Sequence, residues 1–369
     1  MDADIQPIER LSPSSLSGAV GFNRAPAVDA QIQANNDLEA VKAWLNLYTG
    51  RSNTFKTHRR EAERLLLWSV TERLKPLSSL GVEDCIAYRQ FLADPFPHER
   101  WVGPRVRRDD PLWRPFAGRL SPDSCRHAES VVIAMFSWLC KVGYLRYNPW
   151  QALPRLKGRK TKGVVRFVTE TDWQLVENHL AALPPSAANI RLRFILMAYY
   201  LTRGRLSELS IATMADVLEI RRPTKTQWWL RLLGKGGLER EVPIPGLLPF
   251  LYEYRKSRGL PEAPMGEDLP LISHLGSQHG LGVNRIHKLV KTFFDTIPLP
   301  DPSTAARLRR VTAHWLRHSS ATHAVDRGES LHSVQSSLGH ASLDTTSIYV
   351  HADRDKQYAA FEEAEREYN

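Results

Sequence analysis

Apolar residues recur at helical spacing along most of the chain, and one stretch alone departs from that pattern in favour of strands. A 3.6-residue period gives each helix a single buried stripe, so such a chain must pack helix on helix. After Asn36, the residues Leu38, Val41, Leu45 and Tyr48 share one face, with Gly50 as the stop. A second helix is expected over 54–74 with Asn53 as cap. A third is expected over 82–92, stopped by Pro95. The fourth opens at Ser121-Pro122, a cap followed by proline at the first helical position, and runs to Lys141. Its buried stripe is Val131, Val132, Met135, Phe136 and Leu139. The departure is 227–245. There Trp228, Trp229, Leu230, Leu232 and Leu233 precede Gly234-Lys-Gly-Gly237, and Val242 and Ile244 follow. Two runs around a glycine-rich turn spell a β-hairpin. Helical spacing resumes near Asn284. The expected class is mainly α with a small antiparallel β-sheet (α+β).

At 369 residues the chain has length for about two domains. The longest unbroken apolar run is 194–201, far below the roughly 20 residues of a spanning helix, so no membrane partner is expected. The start, Met1-Asp2-Ala3-Asp4, lacks a basic, apolar leader pattern. Cys85, Cys125 and Cys140 form an odd set without a CxxC, which reads as reduced thiols in a cytoplasmic protein. The expected plan is a mobile tail over 1–33 and a helical domain over 34–152 with an inserted loop at 95–120. A basic linker at 153–166, a second domain at 167–352 and an acidic, amphipathic C-terminal tail or helix at 353–369 complete it.

Fifty Lys and Arg against 40 Asp and Glu leave a net charge of +10, which suits a polyanion such as nucleic acid. The cations cluster. Arg59 and Arg60 sit on the second expected helix. Arg105, Arg107 and Arg108 lie in the insertion beside Trp101 and Trp113. Arg interleaved with aromatics favours nucleic-acid contact, while the plain alternative is a surface loop with its tryptophans tucked onto the bundle. The linker carries Arg155, Lys157, Arg159, Lys160 and Lys162 with no acid between them. That composition fits both a solvated hinge and a strand that tracks phosphates. These ten cations are the candidate DNA-binding residues.

The most specific stretch is Thr312-Ala-His-Trp-Leu-Arg-His-Ser, then Leu338-Gly-His340, then Thr346-Ser-Ile-Tyr349. His314 and Arg317 are three apart and share a helical face, with Gly328 ending that helix. Upstream stand Thr202-Arg-Gly-Arg-Leu-Ser-Glu-Leu209 and Gly234-Lys-Gly236. His314 and His318 have zinc-like spacing, but Trp315 stands where a zinc protease has Glu and no third ligand is evident, so no metal is expected. Taken singly, each residue has a plainer fate: Tyr349 and His340 in a core, Lys235 on a solvated turn, Arg205 in an ion pair with Glu208.

Taken in order, the chain resembles the tyrosine recombinase (phage integrase) family over about residues 36–357. The family pattern His-x-x-Arg-His, Leu-Gly-His, Thr-x-x-Tyr is matched in sequence and spacing. The resemblance implies a core-binding (SAM-like) helical domain and a DNA breaking-rejoining catalytic domain that clamp duplex DNA as a C. It places catalysis on Arg205, Lys235, His314, Arg317, His340 and Tyr349. Arg203, where the family usually has Gly, stands as a rival to Arg205. The implied activity is site-specific recombination through a 3′-phosphotyrosine and a Holliday junction, by a tetramer on specific double-stranded DNA sites. Such reactions integrate, excise or resolve mobile elements, and accessory proteins can take part. A topoisomerase using the same chemistry and a DNA-binding protein with an idle site are the rivals.

The residue types suit that chemistry. A phenolate nucleophile conserves the phosphodiester energy, so neither cofactor, metal nor ATP is required. Two always-charged, fork-shaped guanidiniums match the charge gathering on the phosphoryl oxygens. Lys235 is suited to protonating the departing 5′ oxygen and His314 to general acid-base work. His340 can hydrogen-bond the phosphate. Glu208 is expected to orient an active-site cation or to stabilise its own helix.

Overall fold

Asn36 starts the first helix because its side-chain oxygen accepts the Glu39 amide, satisfying one of the donors a helix start leaves open. That helix, α1 (Asp37–Asn46), is followed by α2 (Ser52–Thr71), α3 (Val82–Ala93), α4 (His98–Trp101) and α5 (Pro122–Lys141). The computed structural model describes residues 5–11, 17–156, 167–234, 236–299 and 301–339. The chain divides into two units, Met1–Lys160 and Thr161–Asn369.

In the first unit α5 begins where the sequence places it, with Ser121 Oγ accepting the Ser124 amide and Pro122 at the first position. Two helices end earlier than their apolar stripes predict. α1 stops at Asn46, where the Leu47 and Tyr48 amides turn back to Trp44 and Leu45. α2 starts at Ser52 and stops at Thr71, and Leu74 adopts a left-handed φ of 50°. The stripes from α1, α2, α3 and α5 close over Trp44, Leu65, Tyr88, Val132 and Phe136.

The expectation of a mobile tail over 1–33 is overturned for its described part. Ile5 and Ile8 are buried in the bundle core, and the Ile8 amide donates to Glu63 at 2.7 Å. Asn23 is fully buried and exchanges hydrogen bonds with the Tyr147 backbone at 2.8 and 3.1 Å. Arg24 forms an antiparallel bridge with Leu145. The segment has no period of its own, yet it supplies single apolar and polar groups that existing grooves can take.

The 95–120 insertion is likewise folded onto the bundle, as its plainer reading has it. Trp101 and Phe116 are buried, and the Trp101 indole donates to Glu72 at 2.8 Å. Backbone bonds join Gly103 to Phe116 and Phe116 to Trp101. Arg64 on α2 donates to the Pro115 carbonyl through Nε and Nη2.

The second unit contains α6 (Glu170–Ala182), α7 (Ala187–Thr202), α8 (Leu206–Ile211), β1 (Val217–Arg221), β2 (Thr226–Leu233), β3 (Glu239–Pro243), α9 (Leu248–Lys256), α10 (Val283–Thr296), α11 (Pro302–Leu308), α12 (Ala313–Asp326) and α13 (Leu331–Leu338). The expected hairpin is β2–β3, and β1, which the sequence reading did not anticipate, pairs antiparallel to β2's other edge. The apolar run 194–201 is the middle of α7, buried among the other elements of the unit. Among the described residues no helix is long and apolar enough to cross a membrane. The fold is therefore mainly α with one three-stranded antiparallel sheet.

Candidate active site

The site grows from the end of α7. Arg203 takes a left-handed turn (φ 55°) after Thr202, and Arg205 then stands at the cap position of α8. The Arg205 amide donates to Glu208 Oε2 and its Nη1 to Glu208 Oε1, both at 2.7 Å. Among the described residues its Nε and Nη2 have no partner, and the side chain is 38% exposed. Glu208 itself is buried and also receives a bidentate fork from Arg240 on β3, at 3.0 and 2.7 Å. Burial alone would push its carboxyl up. The Arg240 fork, the Arg205 amide and the Arg205 side chain outweigh it and bring the pKa to about 2. One carboxylate thus holds the Arg205 side chain, caps the start of its own helix through the Arg205 amide and staples β3 to α8.

α12 supplies the other half. Arg317, buried, donates to the carbonyls of Arg203 and Leu338. Arg240 Nε donates to the Ser337 carbonyl at 2.9 Å. Arg203 donates to Ser337 Oγ at 2.8 Å, Ser320 Oγ at 3.2 Å and Glu329 at 2.9 Å. The last turn of a helix leaves carbonyls without intrahelical donors. Here Arg240 and Arg317 fill two of them at the end of α13, while Arg203 grips a side chain in the same turn. This investment makes Arg203 a strut, whereas Arg205 makes its side-chain bond to Glu208 alone among the described residues.

One turn before Arg317, burial, Arg317 and Arg205 together pull the His314 imidazole below its ordinary value. Its Nε2 lies 2.7 Å from His318 Nε2. A nitrogen pair at that distance shares one proton, one ring donating and the other accepting. His318 is therefore His314's hydrogen-bond partner. His323 is held between the Tyr200 hydroxyl and the Val168 carbonyl, at 2.8 and 2.9 Å, as a structural residue.

Gly234 and Gly339, the described glycines of two further motifs, lie against this cluster. A Cβ on Gly234, in the β2–β3 turn, would lie 3.5 Å from Glu208 Oε1. Gly339 caps α13 with φ 61°, and a Cβ there would meet Arg240 Cδ at 3.0 Å. Lys235 follows the first glycine and His340 the second. Lys235, His340 and Tyr349 themselves lie outside the described residues. Arg240 was missed in the sequence because a strand arginine between two glutamates carries no local sign of burial.

The candidate DNA-binding cations divide. Arg105, Arg107 and Arg155 are exposed, with Arg107 in an open pair with Asp109 at 3.2 Å. Arg60 bonds Glu61 at 2.7 Å and is half exposed. Arg59 pairs with Glu9 at 2.6 Å, and Arg108 pairs with both Glu9 and Glu63, at 2.6 and 3.0 Å. Lys157, Arg159, Lys160 and Lys162 lie outside the described residues. Among the described residues no cluster of three or more His, Cys, Asp or Glu side chains is placed to hold a metal ion.

Residues 172–356 match the family model described as the phage integrase family. The tyrosine recombinase XerC of Herpetosiphon aurantiacus is 26% identical over 333 residues, covering 89% of this chain and 94% of that protein. XerC of Mesorhizobium japonicum is 33% identical over 211 residues, 56% of this chain and 61% of the relative. Among solved structures, the XerH site-specific recombinase bound to difH substrate in a pre-cleavage complex superposes with a TM-score of 0.60. It is 18% identical and covers 98% of this chain and 99% of its own. A lambda integrase tetramer bound to a Holliday junction gives 0.53 at 13% identity, covering 82% and 76%. At those identities the structures testify to the fold.

Proposed function

We propose that this chain, which belongs to the phage integrase family, is a site-specific DNA recombinase that cleaves and rejoins duplex DNA through a tyrosine nucleophile. The observation that carries the reading is the convergence of Arg205, Arg317 and His314. Two guanidiniums flank an imidazole held toward neutrality, and one carboxylate, Glu208, is shared between Arg205 and Arg240. Among the described residues, that sets one carboxylate against the Arg205 and Arg240 guanidiniums where α8, β3 and the end of α13 meet. A scissile phosphate placed there would meet the Arg205 and Arg317 side chains, which suit the charge gathering on its non-bridging oxygens.

In the proposed reaction the Tyr349 oxygen attacks phosphorus. The phosphorus–5′ oxygen bond breaks, and the DNA is left on the enzyme as a 3′-phosphotyrosine. Lys235 gives the departing 5′ oxygen its proton. His314, neutral and bonded to His318, accepts a proton or hydrogen-bonds the phosphate, and His340 hydrogen-bonds the phosphate. Attack by a 5′ hydroxyl from the partner strand reverses the step, and two rounds pass through a Holliday junction. One phosphoester replaces another, so the exchange draws on neither ATP nor metal. We assign a tetramer on paired sites to the exchange. Integration, excision or resolution of a mobile element is the setting this activity serves.

The test is a suicide substrate nicked beside the cleavage position. Wild type is expected to trap a covalent protein–DNA adduct, and Tyr349→Phe to bind DNA and fold while forming none. An adduct that survives in the mutant would show another nucleophile. No adduct from wild type on its own site would favour a DNA-binding role. Relaxation of site-free supercoiled plasmid without a two-site product would favour a topoisomerase.

A further inference from the structure

A second cationic site lies in the catalytic unit, away from the cluster just described. A cavity of about 360 Å³ opens between the first turns of α7, the end of α9 and the segment 269–278. Arg191 and Arg258 line it. Arg191 is only 7% exposed. Its Nη1 donates to the Ser273 carbonyl at 3.2 Å, and its Nε is buried with no hydrogen-bond partner. Arg258 has Nη1 buried and unpartnered, with its guanidinium 5.6 Å from the Tyr254 ring.

Neighbouring arginines show how unusual this is. Arg193, two residues along α7, is matched by Glu253 at 3.1 Å. Arg255, three residues before Arg258 and fully buried, is matched by Glu267 and by the carbonyls of Pro261 and Ala263. Glu253 and Glu267 are thus taken, and among the described residues neither Arg191 nor Arg258 forms an ion pair. Burial pulls Arg191 below its ordinary value; the Tyr254 phenol offsets this in part and Arg285 adds to it. A desolvated guanidinium without a counter-charge is costly, and a bound anion would remove that cost.

We propose that this cavity binds a small phosphate monoester, its head group between Arg191 and Arg258. Two unmatched cations call for a dianion, whereas a single carboxylate would leave one uncompensated. The positive end of α7, sixteen residues long and entering the cavity at Ala187, adds to the same field. The volume falls at the lower end of the range for small-molecule sites, about 300–1,000 Å³, which leaves room for the esterified group beside the phosphate. Arg191 and Thr202 are eleven residues apart on α7, about 17 Å along its axis, so a ligand here does not occupy the cleavage site.

The experiment is calorimetric titration of the full chain with adenosine 5′-monophosphate and with inorganic phosphate, chloride holding the ionic strength constant. The catalytic arginines also attract phosphate, so Arg205→Ala is titrated in parallel. One binding event is expected to persist in Arg205→Ala and to weaken at least about tenfold in Arg258→Ala and Arg191→Met. Without ligand, Arg191→Met is expected to unfold at or above the parent's midpoint, because it removes an unmatched buried charge. If it fails to fold, Arg258→Ala decides alone. Titration unchanged by Arg258→Ala, or no event with either probe at millimolar concentration, overturns the site. Weaker binding of site-free duplex by Arg258→Ala, with no event for the monophosphate, would give the phosphate to DNA and overturn the small-molecule assignment.

Discussion

Arg108 in the first unit and Arg205 in the second each pair with a buried glutamate and keep about a third of their side chain exposed. Around Arg108 the charges cancel: Glu63 and Glu9 face Arg108 and Arg59, and the result ties residues 8 and 9 and the insertion to α2. Around Arg205 the described residues place fewer carboxylates. Glu208 answers both Arg205 and Arg240, and Arg317 is held by carbonyl oxygens. The first arrangement is a brace; the second shares one carboxylate between two guanidiniums and is the seat we propose for the scissile phosphate. The difference lies in the ratio of carboxylates to guanidiniums within reach, which neither residue type nor local sequence reveals.

The largest effects should come from the seat. Arg205→Ala is expected to slow cleavage of a suicide substrate roughly 10²–10³-fold while unfolding within about 1 kcal/mol of the parent. Arg317→Ala should abolish cleavage and also lower stability by about 2–4 kcal/mol, because two buried carbonyls lose their donor. Equal stability of the two variants in chemical denaturation would show that the Arg317 bonds to the two carbonyls do not brace the fold.

Glu208→Gln comes next. The folded pKa of Glu208, about 2, lies below the ordinary 4.5, so its contribution is full above about pH 4.5 and is lost as pH falls toward 2. Stability at neutral pH should drop by on the order of 2–3 kcal/mol, and the fall in stability between pH 4.5 and 2 should become shallower. A variant with the parent's acid profile would show that the carboxylate is not the staple.

Smaller effects separate brace from contact in the first unit. Arg108→Ala should cost about 1–2 kcal/mol of stability and leave the salt dependence of DNA binding unchanged. Arg105→Ala should do the reverse, flattening the slope of log K against log salt by about 0.9 with stability unaltered. Fluorescence titrations at several salt concentrations, with denaturation curves, decide between them; a flattened slope in Arg108→Ala would make it a phosphate contact after all. The smallest change is Gly339→Ala, expected to cost about 1 kcal/mol in denaturation because of the left-handed φ. It should also slow cleavage by pushing on Arg240.

What the sequence settled by itself is local or ordered along the chain. The start of α5 was legible because Ser121 and Pro122 act on amides within one turn. The hairpin was legible because its turn glycines lie between two apolar runs. The order of the Arg205, His314 and Arg317 motifs carried the resemblance to the phage integrase family, whose model residues 172–356 match. The tertiary structure decided what depends on partners far along the chain. Ile8 lies 55 residues from the glutamate that anchors it, and Arg108 lies 99 from Glu9. Arg203 reads as a rival to Arg205 until Ser320, Ser337 and Glu329 close on it, and Arg240 reads as a surface strand residue until Glu208 meets it. The physical reason is range. Caps, periods and turns are fixed by neighbours within a few residues, whereas the worth of a charge is fixed by whichever counter-charges and carbonyls folding brings within a few ångströms.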